Sequence, residues 1–161
     1  MTKYKLTYLF LLRIAFGWLF LYSGITKILN PNWTALEYLK SAKTMTFLYQ
    51  WFSTPGNIEL INILNSWGQL LIGLSLIFGV LVRLSSLFGI LMMFLYYIPE
   101  LSFPYVGKNA FLVDQHIIYI LIFTVLFEFD KDMKKFNLAL LLSRYVRSLF
   151  SPSQKSPKGR K

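Results

Sequence analysis

At 161 residues, 55% of them hydrophobic and 15% charged, with a mean hydropathy of +0.51, the chain carries more apolar side chain than a soluble domain of this size can bury. Its net charge of +10 is concentrated towards the chain ends, with no folded basic face of interleaved aromatics, which excludes a nucleic-acid module and suits an anionic lipid leaflet. With no cysteine, disulfides, thiolate nucleophiles and thiolate metal sites are excluded, so redox chemistry would need a bound cofactor or a partner.

A helical span needs ~20 mostly apolar residues, and four stretches qualify, at about 6–28, 59–82, 84–101 and 111–128. The first follows Met1-Thr2-Lys3-Tyr4-Lys5, carries Arg13 and lacks an A-x-A cleavage pattern, so it reads as a retained span rather than a signal peptide. Asn30-Pro31 stops it. Thr34-Ala35-Leu36-Glu37 then has the spacing of a capping box. The segment 35–52, with Trp33, Tyr38, Tyr49 and Trp51 on or beside it, reads as one aromatic-rich helix on the outer membrane surface, ended by Ser53-Thr54-Pro55-Gly56-Asn57.

The second and third spans meet at Val82-Arg83-Leu84, which predicts a tight helical hairpin with Arg83 at the headgroups. After the fourth span, Leu138, Leu141, Leu142, Tyr145 and Leu149 form one stripe with Lys135, Arg144 and Arg147 off it, a basic amphipathic helix for the inner leaflet. From Ser151 onward the composition reads as disordered. The expected fold class is all-α: an integral membrane four-helix bundle over 1–130 with an outer interfacial helix, a C-terminal amphipathic helix over 131–150 and a basic tail over 151–161. Lys3, Lys5, Arg83 and the many cations after 130 outnumber Lys27, Lys40, Lys43 and Lys108 on the other side, which predicts a multi-pass protein with both termini cytoplasmic.

A charge at membrane depth costs ~2.5 to 3.5 kcal/mol on insertion scales, so each one needs a partner, a polar pocket or a route to the interface. Arg13 shares a stripe with Gly17, Phe20, Gly24 and Lys27, and Gln69 shares one with Gly73, Leu76, Val80 and Arg83. Arg13 and Gln69 are expected as neighbours in the bundle interior; the alternative is that Arg13 snorkels inward and the glycines only tighten packing.

On the outer side Lys27, Glu100, Lys108, Asn109, Asp114 and His116 fall near helix ends, bordered by Tyr96, Tyr97 and Tyr105. The helix dipole favours Asp114 in the first turns of the fourth helix. His116, two residues on, is expected on a different face, so that the two cannot clamp one ion alone. A lone histidine makes no metal site, and none is expected; His116 could move a proton or serve only as a hydrogen-bonding residue.

The first helix, Arg13-Ile14-Ala15-Phe16-Gly17 through Ser23-Gly24-Ile25-Thr26-Lys27, resembles the R-x3-G…S-G-x-x-K signature of the DoxX family. Gln69-Leu70-Leu71-Ile72-Gly73-Leu74, followed by Gly79-Val80-Leu81-Val82-Arg83, resembles that family's E-x3-G-L…G-x3-R pattern, with Gln69 where the family more often has Glu. Asn109 through Asp114-Gln115-His116 resembles the start of the fourth helix in the DoxD branch, the membrane subunit of thiosulfate:quinone oxidoreductase. The likeness runs over roughly 8–128. It implies a four-helix membrane protein of a prokaryotic plasma membrane, passing electrons from thiosulfate or another sulfur compound to quinone with a second redox subunit or soluble partner protein.

The resulting expectation is a membrane subunit of a quinone-linked oxidoreductase, with quinone its cofactor. His116 and Asp114 are the candidate catalytic residues, and Arg13, Lys27, Gln69, Arg83, Lys108 and Asn109 the candidates for holding substrate and quinone. A non-enzymatic scaffold or assembly factor for a redox complex is the rival reading. A transporter is a third, although no broken helix or inverted repeat is visible.

Overall fold

The computed structural model describes residues 3–108 and 110–134. In chain order these form α1 (Lys3–Leu29), α2 (Leu36–Lys40), α3 (Thr46–Phe52), α4 (Pro55–Phe78), α5 (Val82–Glu100), the two-residue strands β1 (Leu101–Ser102), β2 (Tyr105–Val106) and β3 (Ala110–Phe111), and α6 (Gln115–Met133). Pro55 sits in the first turn of α4, where a missing N–H costs no helical bond, and Gly79 ends that helix in the left-handed conformation (φ 72°). α1, α4 and α5 are long and apolar enough to cross a membrane, with mean hydropathies of 1.6, 1.5 and 1.5. α6 is apolar until Glu128, Asp130, Lys131 and Asp132 in its last turns.

Lipid tails are as apolar as leucine, so helices in a membrane are held by close packing rather than by escape from water. Glycine supplies that closeness here. α1 runs antiparallel to α4, with Gly24 against the Leu70 backbone and Gly73 against that of Leu21; a Cβ at Gly73 would lie 2.3 Å from Leu21 N. α5 pairs with α6 through Gly89, whose missing Cβ leaves room for the Phe123 ring. Phe16, Phe20 and Phe123 meet edge to face with centroids 4.8–5.1 Å apart, and join Ile72, Leu76 and Met93 in the core between the two pairs. α4 and α5 touch less extensively.

The chain between α4 and α5 turns over Gly79–Leu81, so Arg83 lies in the first turn of α5 rather than in the loop; its guanidinium covers the Phe127 ring at 5.0 Å. We call this the turn end and the opposite one the capped end. There the segment expected as one outer helix is broken: Ser41–Met45 separates α2 from α3, with Met45 at φ 52°. The capping box expected from Thr34 to Glu37 does not form: the N-cap of α2 is Ala35, with no side-chain cap, Thr34 accepts from Leu36 N at 3.2 Å, and Glu37 turns to Lys40.

The cap is fastened to α5 at a proline. Pro99 has no N–H, so the carbonyl of Leu95 loses its helical donor. The Tyr49 hydroxyl supplies one at 2.9 Å. Tyr38 donates to the carbonyl of Tyr96, Lys43 N to that of Pro99, and Thr44 to that of Leu101. The three short strands form an antiparallel sheet in the order β1-β2-β3, pairing Leu101 with Val106 and Val106 with Ala110. Because β3 occupies Ala110–Phe111, α6 starts at Gln115, later than the span expected from 111. The amphipathic helix and basic tail expected after 134 lie outside the described residues.

Candidate functional site

Four helices and the cap converge on one polar chamber. α1 brings Lys27 in its last turn; α4 brings Asn65 and Gln69, and α5 brings Tyr96 and Glu100, each pair four residues apart and so on one helix face. The loop before α2 adds Trp33, α2 adds Tyr38, and the start of α6 adds His116. They enclose a cavity of about 300 Å³ lined by Lys27, Trp33, Thr34, Ala35, Tyr38, Asn65, Tyr96, Glu100, Gln115 and His116. Gln69, buried behind it, connects the wall.

Lys27 Nζ donates to Gln69 Oε1 at 2.7 Å and to Asn65 Oδ1 at 3.1 Å, and stands over the Trp33 and Tyr96 rings at 5.0 and 5.9 Å. An ammonium has three N–H donors, so two of them go to amide oxygens. Among the described residues the ion pairs are Lys40 with Glu37 and His116 with Asp114, so the charge of Lys27 is met by dipoles and π faces alone. Such a cation, half-buried, favours an anion or a carbonyl oxygen as a further partner. Gln69 also accepts from Ser23 Oγ at 2.8 Å and donates to the Tyr96 hydroxyl at 3.2 Å.

Asp114 precedes α6 as its N-cap, in extended conformation, and takes the N–H groups of His116 at 3.0 Å and Ile117 at 3.2 Å. The same carboxylate holds His116 Nδ1. The expectation that these two residues point apart is corrected: it placed both inside the helix, whereas a capping side chain folds forward over the first turn and reaches the second helical residue. A carboxylate on Nδ1 fixes the imidazole and leaves Nε2 for other partners. His116 is buried and meets the edge of Tyr96 at 5.9 Å. Burial, and then Glu100, push the Tyr38 phenol above the ordinary tyrosine range, so it stays a neutral donor.

The expected proximity of Arg13 and Gln69 is also corrected. In the antiparallel α1–α4 pair Gln69 faces Ser23 and Lys27, while Arg13, 1% exposed, lies at the turn end, where a Cβ on Gly79 would stand 2.9 Å from its Nη1. Arg13 and Lys27 are fourteen positions apart on one helix, ~21 Å at 1.5 Å per residue. Arg13 covers the Phe10 ring at 5.4 Å and feels the charge of Asp130 on α6. Arg83 is at the same end, so neither arginine belongs to the chamber. Lys108, exposed in the turn between β2 and β3, does not line it either, and Asn109 lies outside the described residues.

Sequence reasoning missed Asn65 and took Trp33 and Tyr38 only as aromatics of the outer helix. A signal for Asn65 was present: Asn62, Asn65 and Gln69 follow at steps of three and four, an amide stripe on a largely apolar helix.

Apolar spanning helices, glycine-mediated packing and a polar chamber at one end define an all-α, multi-pass membrane protein in contact with a lipid bilayer. Within that class the chain belongs to the DoxX family, whose model matches residues 8–98, from α1 to near the end of α5. The matched region holds Lys27, Asn65, Gln69 and Tyr96 and stops before Glu100, Asp114 and His116. No curated protein and no solved structure matches the chain.

Proposed function

We propose that this chain is the membrane subunit of a quinone-linked oxidoreductase and that the chamber at its capped end receives the quinone head. The carrying observation is Lys27, half-buried and bonded, among the described residues, to the amide oxygens of Asn65 and Gln69 beside Tyr96 and His116. The residues suit such a head. Lys27 has a third N–H to offer a carbonyl oxygen, Tyr96 accepts from Gln69 and keeps its own O–H proton to donate, and Trp33 and Tyr38 supply ring faces. A cavity of about 300 Å³ suits one ring rather than a whole lipid.

Reduction of a bound quinone consumes two electrons and two protons. In this reading Lys27 orients the head by a charge-assisted hydrogen bond, and His116, steadied at Nδ1 by Asp114, holds a proton at Nε2. Electrons come from thiosulfate or another sulfur compound through a second redox subunit or soluble partner. The support for that donor is the resemblance of Asp114-Gln115-His116 to the DoxD branch. α6 is the fourth span in this reading, the capped end faces outward, and both termini are on the cytoplasmic side of a prokaryotic plasma membrane, in keeping with the lysine and arginine distribution. Reduction of a quinone analogue by thiosulfate or another sulfur donor, with the partner supplied, is the expected result; no reduction with any sulfur donor counts against it.

A scaffold or assembly factor is the second reading, favoured by Gln69, whose bonds to Ser23, Lys27 and Tyr96 all tie helices together. Under it, stable protein would bind no quinone, and substitutions in the chamber would change only folding.

A further inference from the structure

The α4–α5 hairpin encloses a second cavity, an open groove of about 830 Å³. Its sides are Leu71, Leu74 and Phe78 of α4 and Leu84, Phe88 and Leu91 of α5. At its capped end it reaches Ala35, Tyr38, Asn65 and Tyr96, and these four residues also line the lysine chamber. The groove and the chamber therefore adjoin at these four residues, the groove apolar along its length and the chamber lined by hydrogen-bonding groups.

We infer that the groove holds the apolar tail of a membrane amphiphile whose polar head meets Asn65 and Tyr96 where the groove joins the chamber. The inference rests on the reading of the chamber as a quinone-head site and extends it: the ligand is a quinone with a long prenyl tail, taken up sideways from the bilayer between α4 and α5. Glycine decides between a tail and a partner helix. Where helices meet in this protein, glycine admits backbone to within van der Waals contact, as at Gly24 and Gly73, or admits an aromatic ring, as at Gly89. The groove has large flexible side chains instead, and its glycine, Gly68, faces only the tip of Met92. Its small polar residues, Ser75 and Ser85, are bonded to each other. A surface of leucine and phenylalanine suits a flexible hydrocarbon better than a helix, which needs small residues for close approach. The volume falls within the ~300 to 1,000 Å³ of ordinary ligand sites.

The test uses the full chain in nanodiscs, a long-tailed prenylquinone carrying a photoreactive group at the tail end, and the same quinone head without a tail. Labelling is expected to concentrate on α4 and α5 around Leu74 and Leu84. Leu74→Trp and Leu84→Trp, which add bulk at a lipid-open surface, are expected to weaken the tailed compound by roughly tenfold and leave the tail-less head unchanged. Labelling spread evenly over the lipid-facing surface, including Trp18 and Tyr22 of α1, overturns the inference. So does an unchanged affinity of the tailed compound in both variants, or an effect of the variants confined to association with another chain, which would make the groove a helix seat. The two readings separate cleanly: a tail-less head that binds while the tail labels elsewhere sinks the groove and keeps the chamber, and a head that does not bind while the tail still labels the groove does the reverse.

Discussion

The hydroxyl of Tyr49 occupies the place of the backbone donor that Pro99 denies to Leu95, at 2.9 Å, and so pins the cap to α5 from outside the helix. Tyr49 is 1% exposed, and burial pushes its phenol up to about 12. Its stabilising contribution is therefore whole below the ordinary tyrosine value of ~10 and declines as pH rises from there towards the folded value, because the unfolded chain ionises first. Tyr49→Phe is expected to cost ~1 to 3 kcal/mol at pH 8 through the orphaned carbonyl, and the gap between the two proteins should shrink between pH 9 and 11. Thermal midpoints against pH, measured in detergent, check both statements.

Gly73 and Gly68 are both on α4, yet they should respond oppositely to alanine. A Cβ at Gly73 meets backbone, 2.3 Å from Leu21 N, so α1 and α4 must separate; overpacking of this kind costs ~1 to 3 kcal/mol or more. At Gly68 the obstacle is the movable end of Met92 at 2.9 Å, and helix propensity gains ~1 kcal/mol from the exchange. Thermal stability is expected to fall for Gly73→Ala and to hold or rise for Gly68→Ala.

Asp114 has two tasks that substitution can separate. Asparagine caps a helix about as well as aspartate, so Asp114→Asn should stay near the original stability and lose the charge on His116 Nδ1. Quinone reduction is expected to fall while the thermal midpoint stays within a few degrees. Asp114→Ala should lose reduction and ~1 kcal/mol of stability together. Equal activity of Asp114→Asn and the original protein would take the dyad out of the chemistry.

At the turn end, Arg13→Leu and Gly79→Ala are expected to lower the yield of folded protein without touching the chamber. Gly79 is left-handed at φ 72°, which costs a residue with a side chain ~1 kcal/mol, and its new methyl would press on the Arg13 guanidinium. Quinone affinity of the protein that does fold should be unchanged, since Lys27 lies ~21 Å further along α1. An affinity that falls with Arg13→Leu would restore the arginine to the site.

The long helices were legible because a run of ~20 apolar residues has few alternatives in lipid, but the span expected at about 59–82 is shifted along the chain from α4, because Pro55 opens that helix instead of only ending the segment before it, and Gly79 ends it. The cap was less so: a left-handed Met45 that divides α2 from α3 has no glycine to announce it, and a donor from Tyr49 to Leu95 is visible only once a helix with a proline lies alongside. In the site, Lys27 and Gln69 were found separately as costly polar residues, but their pairing depends on the antiparallel register set by Gly24 and Gly73. Periodicity puts Arg13 and Lys27 on one stripe and cannot say which end of α1 meets Gln69. Asp114 with His116 was misjudged by the position of a helix start, where a shift of a few residues turns a side chain from a helical face into a cap.

The most direct measurement is the affinity of a tail-less quinone head for the purified protein and for Lys27→Met, with Lys27→Arg as the charge-preserving control. Loss of a charge-assisted hydrogen bond should weaken binding by roughly ten- to a hundredfold in Lys27→Met, with thermal stability held close to the original and partial recovery in Lys27→Arg. An affinity that does not change on removing the ammonium, or no binding by the unaltered protein, would contradict the placement of the quinone head beside Lys27.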